Sequence, residues 1–130
     1  MAEPTITRRF GKLAGAYPVA GTPTRLYTCP QETSEFPNRT AQTAIAKIRI
    51  ANNGVVSTFG IWIGNVDEVR GNNATVAYPT LTTIPAAGSP LSIVEIIAGD
   101  GLQNGAWIDV QSGNGSISFQ LFGEETVIDP

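Results

Sequence analysis

Apolar and polar residues alternate along several short segments of the chain, and a period of two is typical of β-strands that bury one face. Residues 43–51 predict such a strand, with an apolar and a basic face: Ala44, Ala46, Ile48 and Ile50 against Lys47 and Arg49. Residues 116–123 predict another, whose inward side chains are Ile117, Phe119 and Leu121. We therefore expect a protein built from short strands.

The Asn-Asn-Gly sequence at 52–54 predicts a tight turn, because Asn and Gly tolerate the positive φ of primed hairpin turns. This turn would join 43–51 to a partner strand at 55–64. Within that partner Trp62 faces away from the aliphatic side chains, and Trp107 is expected on the corresponding face of a later strand. Both indoles therefore fall outside the predicted aliphatic core.

Four further segments are predicted to be strands, each bounded by turn-forming residues: 24–29, 75–78, 91–97 and 106–110. Residues 91–97 are almost continuously apolar, which predicts a strand covered on both faces. About seven short strands, with 14 glycines and 9 prolines available for turns, indicate an all-β fold. We expect one β-sandwich or jelly-roll-like domain over residues 24–130.

Residues 1–23 differ from this pattern, since three prolines and three glycines interrupt any regular helix. We expect an extended N-terminal arm that reaches a neighbouring molecule, or that folds back as an edge strand. The residues expected to bind a partner here combine three bases with one aromatic ring: Arg8, Arg9, Phe10 and Lys12.

The composition excludes several classes of protein. Hydrophobic residues make up 42% of the chain and charged residues 15%, against about 25% charged residues in an average soluble domain, which argues against a disordered chain or a coiled coil. No apolar run is long enough to span a membrane, and residues 1–4 lack the layout of a signal peptide. We expect neither a membrane partner nor Sec export.

The chain has no histidine and one cysteine, Cys29. This excludes His-based acid–base catalysis and an intrachain disulfide, so we expect no enzyme and no cofactor. Cys29 is expected to be a small buried hydrophobe. Asp67, Glu68, Asp100 and Asp109 fit no spaced Ca²⁺ motif, and we predict no metal site.

The charges are distributed unevenly, although the net charge is only −3. Residues 1–50 hold seven bases, whereas residues 71–130 hold six acids and no base. Two interpretations stay open: head-to-tail contact between copies, or pairing of bases with acids inside one domain. Nucleic-acid binding is not expected, because such proteins usually carry a larger basic patch.

Trp62 and Trp107 have three interpretations. They could stack on sugar rings, fill a subunit interface, or form a second layer of the core. The sequence favours the third slightly.

Residues 24–30, Thr-Arg-Leu-Tyr-Thr-Cys-Pro, resemble the T-x-L-Y-T-x-P opening of small virion structural proteins of tailed bacteriophages. Further segments that are similar to that family follow in order: 48–52, 61–64, 97–102 and 119–124. The resemblance covers about residues 24–125, and the polar loop at 31–42 is longer than the family pattern.

The resemblance implies a non-enzymatic β-sandwich that oligomerises in a virion assembled in the bacterial cytoplasm. The first expectation is a capsid cement or decoration subunit, whose partners are copies of itself and the major capsid protein. One alternative is a tail, neck or baseplate protein that anchors fibres. From another class comes a carbohydrate-binding β-sandwich that uses Trp62 or Trp107.

Overall fold

The computed structural model describes residues 3–72, 74–96 and 101–130, without the side chains of 77–81. This part of the chain contains nine strands and no helix, so no helix there has the length and apolarity to cross a membrane. The strands are Thr5–Ala16 (β1), Thr24–Thr28 (β2), Thr40–Asn52 (β3), Ser57–Gly64 (β4), Thr75–Ile84 (β5), Ile93–Ile96 (β6), Gly101–Gln103 (β7), Trp107–Ser112 (β8) and Ile117–Asp129 (β9).

The strands form two antiparallel sheets, and the all-β prediction is confirmed. Sheet A has the order β1-β9-β3-β6, and β7 pairs with β3 beside β6. Sheet B has the order β2-β8-β4-β5. Sequence neighbours therefore lie mostly in opposite sheets, so the chain crosses repeatedly from one layer to the other.

The core fills the space between the two sheets. Its fully buried side chains come from both inner faces: Ile48, Ile50, Phe119 and Leu121 of sheet A, and Ile61, Ile108 and Val110 of sheet B. Phe59 and Phe119 meet edge to face across the interface, with ring centroids 6.3 Å apart. Each large aliphatic side chain buried in this way stabilises the fold by about 1.5–3 kcal/mol relative to exposure.

Strand β9 is the centre of sheet A, because β1 pairs with one side of it and β3 with the other along almost its whole length. Both partners break register next to Phe122 of β9: β3 does so between the partners of Gly123 and Phe122, and β1 between the partners of Phe122 and Leu121. Such bulges bend a sheet locally. Gly123 fits this level because a Cβ there would overlap the carbonyl oxygen of Ala44.

Residues 5–16 form β1, the edge strand of sheet A, which is the second of the two positions expected for the N-terminal segment. Thr5–Lys12 is exposed throughout, and Leu13 is the one residue of the strand with a buried side chain. The segment is therefore held mainly by its backbone pairing with β9.

Two predictions about residues 43–64 are wrong. The turn at 52–54 does not close a hairpin, since β3 belongs to sheet A and β4 to sheet B. The bulge in β3 also breaks the predicted alternation, so Ile45 is buried and Ala44 is exposed. A period-two pattern cannot reveal a bulge, because one extra residue reverses the faces beyond it.

The strand predicted at 91–97 is not covered on both faces. In the described part β6 lies at the edge of sheet A, with Ile93 58% exposed, and Leu91 just before it is 67% exposed. Residue 97 falls outside the described residues. Two other strands are longer than predicted: β5 continues through Pro79 to Ile84, and β9 continues to Asp129.

Replacing Gly123 by Ala should destabilise the protein by about 1–3 kcal/mol, because the new methyl group would force the β3 backbone away at the bulge. Urea unfolding measures the change. Gly101→Ala is the matched control, since its Cβ would lie at an ordinary 3.7 Å from the carbonyl oxygen of Thr43. Equal stability of both variants would contradict the close approach.

Candidate interaction surface

Strand β1 divides the four residues predicted to bind a partner between its two faces. Its register with β9 places Arg8, Phe10 and Lys12 on the outer face of sheet A, the face turned away from sheet B. Phe10 is 71% exposed there. Arg9 points to the opposite side and donates a hydrogen bond to the carbonyl of Leu13 at 3.0 Å.

The outer face continues from β1 across β9 to β3. Phe122 lies opposite Lys12 on one side and Lys47 on the other. The ammonium of Lys47 and the guanidinium of Arg49 lie 5.3 and 5.2 Å from the centre of its ring, within the range of cation–π attraction. The result is a surface on which cations surround the exposed ring of Phe10 and the half-buried ring of Phe122.

Charge pairing inside the domain uses five of the seven bases in residues 1–50. Each of the five pairs with an acid in the C-terminal part: Arg9 with Glu125, Arg25 with Asp109, Arg39 with Asp129, and Lys47 and Arg49 with Glu95. Among the described residues, Arg8 and Lys12 form no ion pair. Intradomain pairing therefore accounts for most of the asymmetry and leaves two cations on β1.

Beneath β1, Arg9 contacts a buried polar cluster between the sheets. Its Nε lies 3.7 Å from Oε1 of Glu125, whose other oxygen accepts a hydrogen bond from the hydroxyl of Tyr27. That hydroxyl also lies 2.7 Å from Oγ1 of Thr43. Burial and the hydrogen bond to Glu125 raise the pKa of Tyr27. The cluster joins β1 and β9 to sheet B through β2.

On the outside of sheet B, Asp109 is buried between two arginines. One oxygen accepts from Nε of Arg25 at 2.5 Å, and the other accepts from Nη1 of Arg70 at 2.7 Å. Arg25 lies 4.6 Å from the ring centre of Trp107, and Arg70 lies 5.7 Å from that of Trp62. Arg70 belongs to the loop after β4, so its ion pair with Asp109 of β8 holds this loop against sheet B.

This cluster settles where the two tryptophans lie. Trp62 is 8% exposed and Trp107 4% exposed, both on the face away from the main core, and Gly64 leaves room for the Trp107 ring. Neither indole presents an open face on which a sugar could stack. Of the three interpretations, burial in a second layer is the one that fits.

The acids considered for Ca²⁺ do not meet in the described part of the chain. Asp109 is engaged by arginines, Asp67 lies in the exposed loop after β4, and Asp100 falls outside the described residues. Within residues 3–72, 74–96 and 101–130 no group of three Asp, Glu or Cys side chains could hold a metal ion.

The sequence did not reveal Phe122, Lys47 and Arg49 as part of the same surface as β1. They lie 35 or more positions away along the chain, and only the pairing of β9 with both β1 and β3 brings them together. The alternation of apolar and basic residues in 43–51 did place Lys47 and Arg49 on one face. This was the local signal for that part of the surface. Arg70 as a partner of Asp109 had no local signal.

Replacing Asp109 by Asn should lower the free energy of unfolding by about 2–3 kcal/mol, because two arginines would lose their shared buried carboxylate. Chemical denaturation checks this. Glu95→Gln serves as the control, since it removes two ion pairs, with Lys47 and Arg49, that are partly exposed to solvent and should cost much less. A loss no greater than the control's would contradict a stabilising role for the cluster.

Cys29 is fully buried, as predicted, and its thiol accepts a hydrogen bond from Thr43. Burial raises its pKa above the ordinary 9.0. The protonated thiol is favoured in the folded state, so its contribution to stability is complete below pH 9 and falls as the pH rises toward the folded pKa.

We therefore expect slow thiol labelling that follows unfolding, and a fall in stability above pH 9 that is smaller in Cys29→Ala. The remaining fall in that variant would come from Tyr27, whose pKa is also raised. Urea unfolding as a function of pH, together with a thiol-reactive dye, measures both effects. Labelling of the folded protein at the rate of a free thiol would show the burial to be wrong.

Comparison of the chain with protein-family models, with curated proteins and with solved structures finds no match. What the protein does must therefore be inferred from its own residues.

Proposed function

We propose that the chain is a non-enzymatic structural subunit of a tailed-phage virion, in first place a capsid cement or decoration protein. The observation that carries the proposal is the surface formed by β1 and the outer face of sheet A. Arg8, Phe10 and Lys12 are exposed along a 12-residue edge strand, and the two bases have no ion-pair partner among the described residues. A surface of this kind suits contact with a neighbouring subunit.

The chemistry of the outer face favours a protein partner. Arginine and aromatic residues are enriched at protein interfaces, whereas a phosphate-binding face is dominated by bases. Here Glu95 and Glu124 lie among the cations, and Glu124 is directly opposite Phe10. The mixed charge supports specific contact with another protein surface over binding of nucleic acid.

The strand order adds support at the level of the fold. The orders β1-β9-β3-β6 and β2-β8-β4-β5 resemble the two four-stranded sheets of a jelly roll. Jelly rolls occur in viral capsid proteins and also in lectins, so this is an analogy and does not choose between the two. The covered tryptophans weigh against the carbohydrate-binding alternative.

The alternative position is the tail, neck or baseplate, where a small sandwich would anchor fibres. Both positions require the same kind of subunit, and they differ in the number of copies. A cement subunit covers the capsid lattice, whereas a fibre anchor occupies a few sites at one vertex or at the tail.

Quantitative mass spectrometry of particles purified from a phage that encodes this chain tests the proposal. We expect a copy number that approaches that of the major capsid protein. A few copies per particle would move the subunit to the neck, tail or baseplate. Absence from the particle would overturn the virion proposal.

A further inference from the structure

The edges of the two sheets are not alike. In sheet B, the edge strand β2 has five residues and a register shift, and β5 contains Pro79, which lacks a backbone donor. On the far edge of sheet A, β6 and β7 have four and three residues. Only β1, among the described edge strands, is both long and free of proline.

An edge strand of this kind can accept another strand. Its outward backbone N–H and C=O groups are the same groups that pair within a sheet, and proteins usually block them with short strands, prolines or bulges. Strand β1 has one such block, the register shift after Lys12. The stretch Thr5–Gly11 before it keeps one register against β9 and is exposed. Gly11 at its end has a φ of 93°, so the regular backbone open to an added strand is that of Thr5–Phe10.

The charges on β1 indicate which charge an added strand should carry. Strand β1 has three bases and no acid, while β9, its partner on the other edge, has three acids and no base. Arg9 is matched with Glu125, but Arg8 and Lys12 have no ion pair among the described residues. Opposite charges stabilise cross-strand neighbours and like charges destabilise them.

This rule also disfavours a second copy of β1 as the added strand. Antiparallel pairing of two β1 edges over Thr5–Phe10 would bring Arg8 and Arg9 of one copy toward the same bases of the other. An acidic strand would meet the same cations with the opposite charge, as β9 already does on the inner edge.

We propose that the free edge of β1 binds an extended, acidic segment of a partner protein as an added antiparallel strand. The backbone of Thr5–Phe10 supplies the hydrogen bonds, Arg8 and Lys12 attract the acidic side chains, and Phe10 offers an apolar contact on the outer face. Of the proposed function, this inference uses only the idea of a neighbouring subunit. Its test needs no particle, so the two can fail separately.

The probe is a synthetic peptide with the sequence of residues 120–129, Gln-Leu-Phe-Gly-Glu-Glu-Thr-Val-Ile-Asp, which is the strand that β1 already recognises on its inner edge. We expect saturable binding by fluorescence polarisation that weakens as salt rises. Hydrogen exchange should show new protection of amides in 5–10, with β9 still protected. A peptide with lysines in place of its two glutamates should not bind.

Arg8→Glu/Lys12→Glu should weaken binding about tenfold or more, since it replaces two attractions by two repulsions at exposed positions. Lys47→Glu/Arg49→Glu is the matched control, with the same change of charge on the same face but two strands from the edge. The control should bind normally, and unfolding curves confirm that both variants fold.

Four outcomes would overturn the inference. Equal weakening by both variants would place the peptide on the face of sheet A and not at its edge. Loss of protection in β9 would show that the peptide exchanges with the native strand. Absence of binding, or dimerisation of the protein through β1 that the peptide does not affect, would show that the edge does not accept an acidic strand.

Discussion

The structure of sheet A depends on the pairing of β9 with two partners at once. Its 13 residues lie between β1 and β3, and both partners shift register next to Phe122, the residue that precedes Gly123. Glycine at that position lets the β3 bulge approach without a steric clash. On one side of this level β9 packs its apolar residues over sheet B. On the other side Glu125 accepts a hydrogen bond from Tyr27, so the polar cluster beneath β1 lies beyond the bulges.

Two buried carboxylates join parts of the chain that are far apart in sequence. Glu125 pairs with Arg9 of β1, and Asp109 pairs with Arg25 of β2 and with Arg70 of the loop after β4. Burying a charge costs free energy unless the charge is paired. Each carboxylate therefore favours the fold in which the segments carrying its arginine partners lie beside it. The uneven distribution of charge along the chain is therefore explained mostly by ion pairs that form inside the folded domain. Arg8 and Lys12 are the exceptions, because every other base of the chain forms an ion pair among the described residues.

Arg8 and Lys12 both lie on the outer face of sheet A, which differs from the outer face of sheet B. The tryptophans, which first suggested a binding site, are covered by arginines and by neighbouring backbone on sheet B. The opposite face, on sheet A, has one exposed and one half-buried phenyl ring, a long open edge, and two cations without an ion-pair partner among the described residues. Interaction through that side is what the proposed structural subunit would require, whether it were a cement protein or a fibre anchor.

The sequence by itself determined the fold class and the inward side of several strands. Period-two alternation identified Ile117, Phe119 and Leu121 as core, and it placed Trp62 and Trp107 on the face away from the aliphatic residues. These features follow from local geometry, since neighbouring side chains of a strand point to opposite faces. The same rule failed at β3, where a bulge reversed the faces. The Asn-Asn-Gly sequence after β3 predicted a hairpin, whereas the chain there passes into the other sheet.

Only the tertiary structure decided which strands are neighbours, and hence which charges meet. Strand pairing between residues more than 80 positions apart brings Arg9 to Glu125 and Arg25 to Asp109. Within the described part of the chain, it leaves Arg8 and Lys12 on the edge without an ion-pair partner. Backbone hydrogen bonds are the same for every sequence, so local pattern predicts that a strand forms but not which strand lies beside it. Which strands become neighbours depends on the packing of side chains from distant segments. Pairing with β9 therefore made the basic N-terminal segment the edge strand of sheet A.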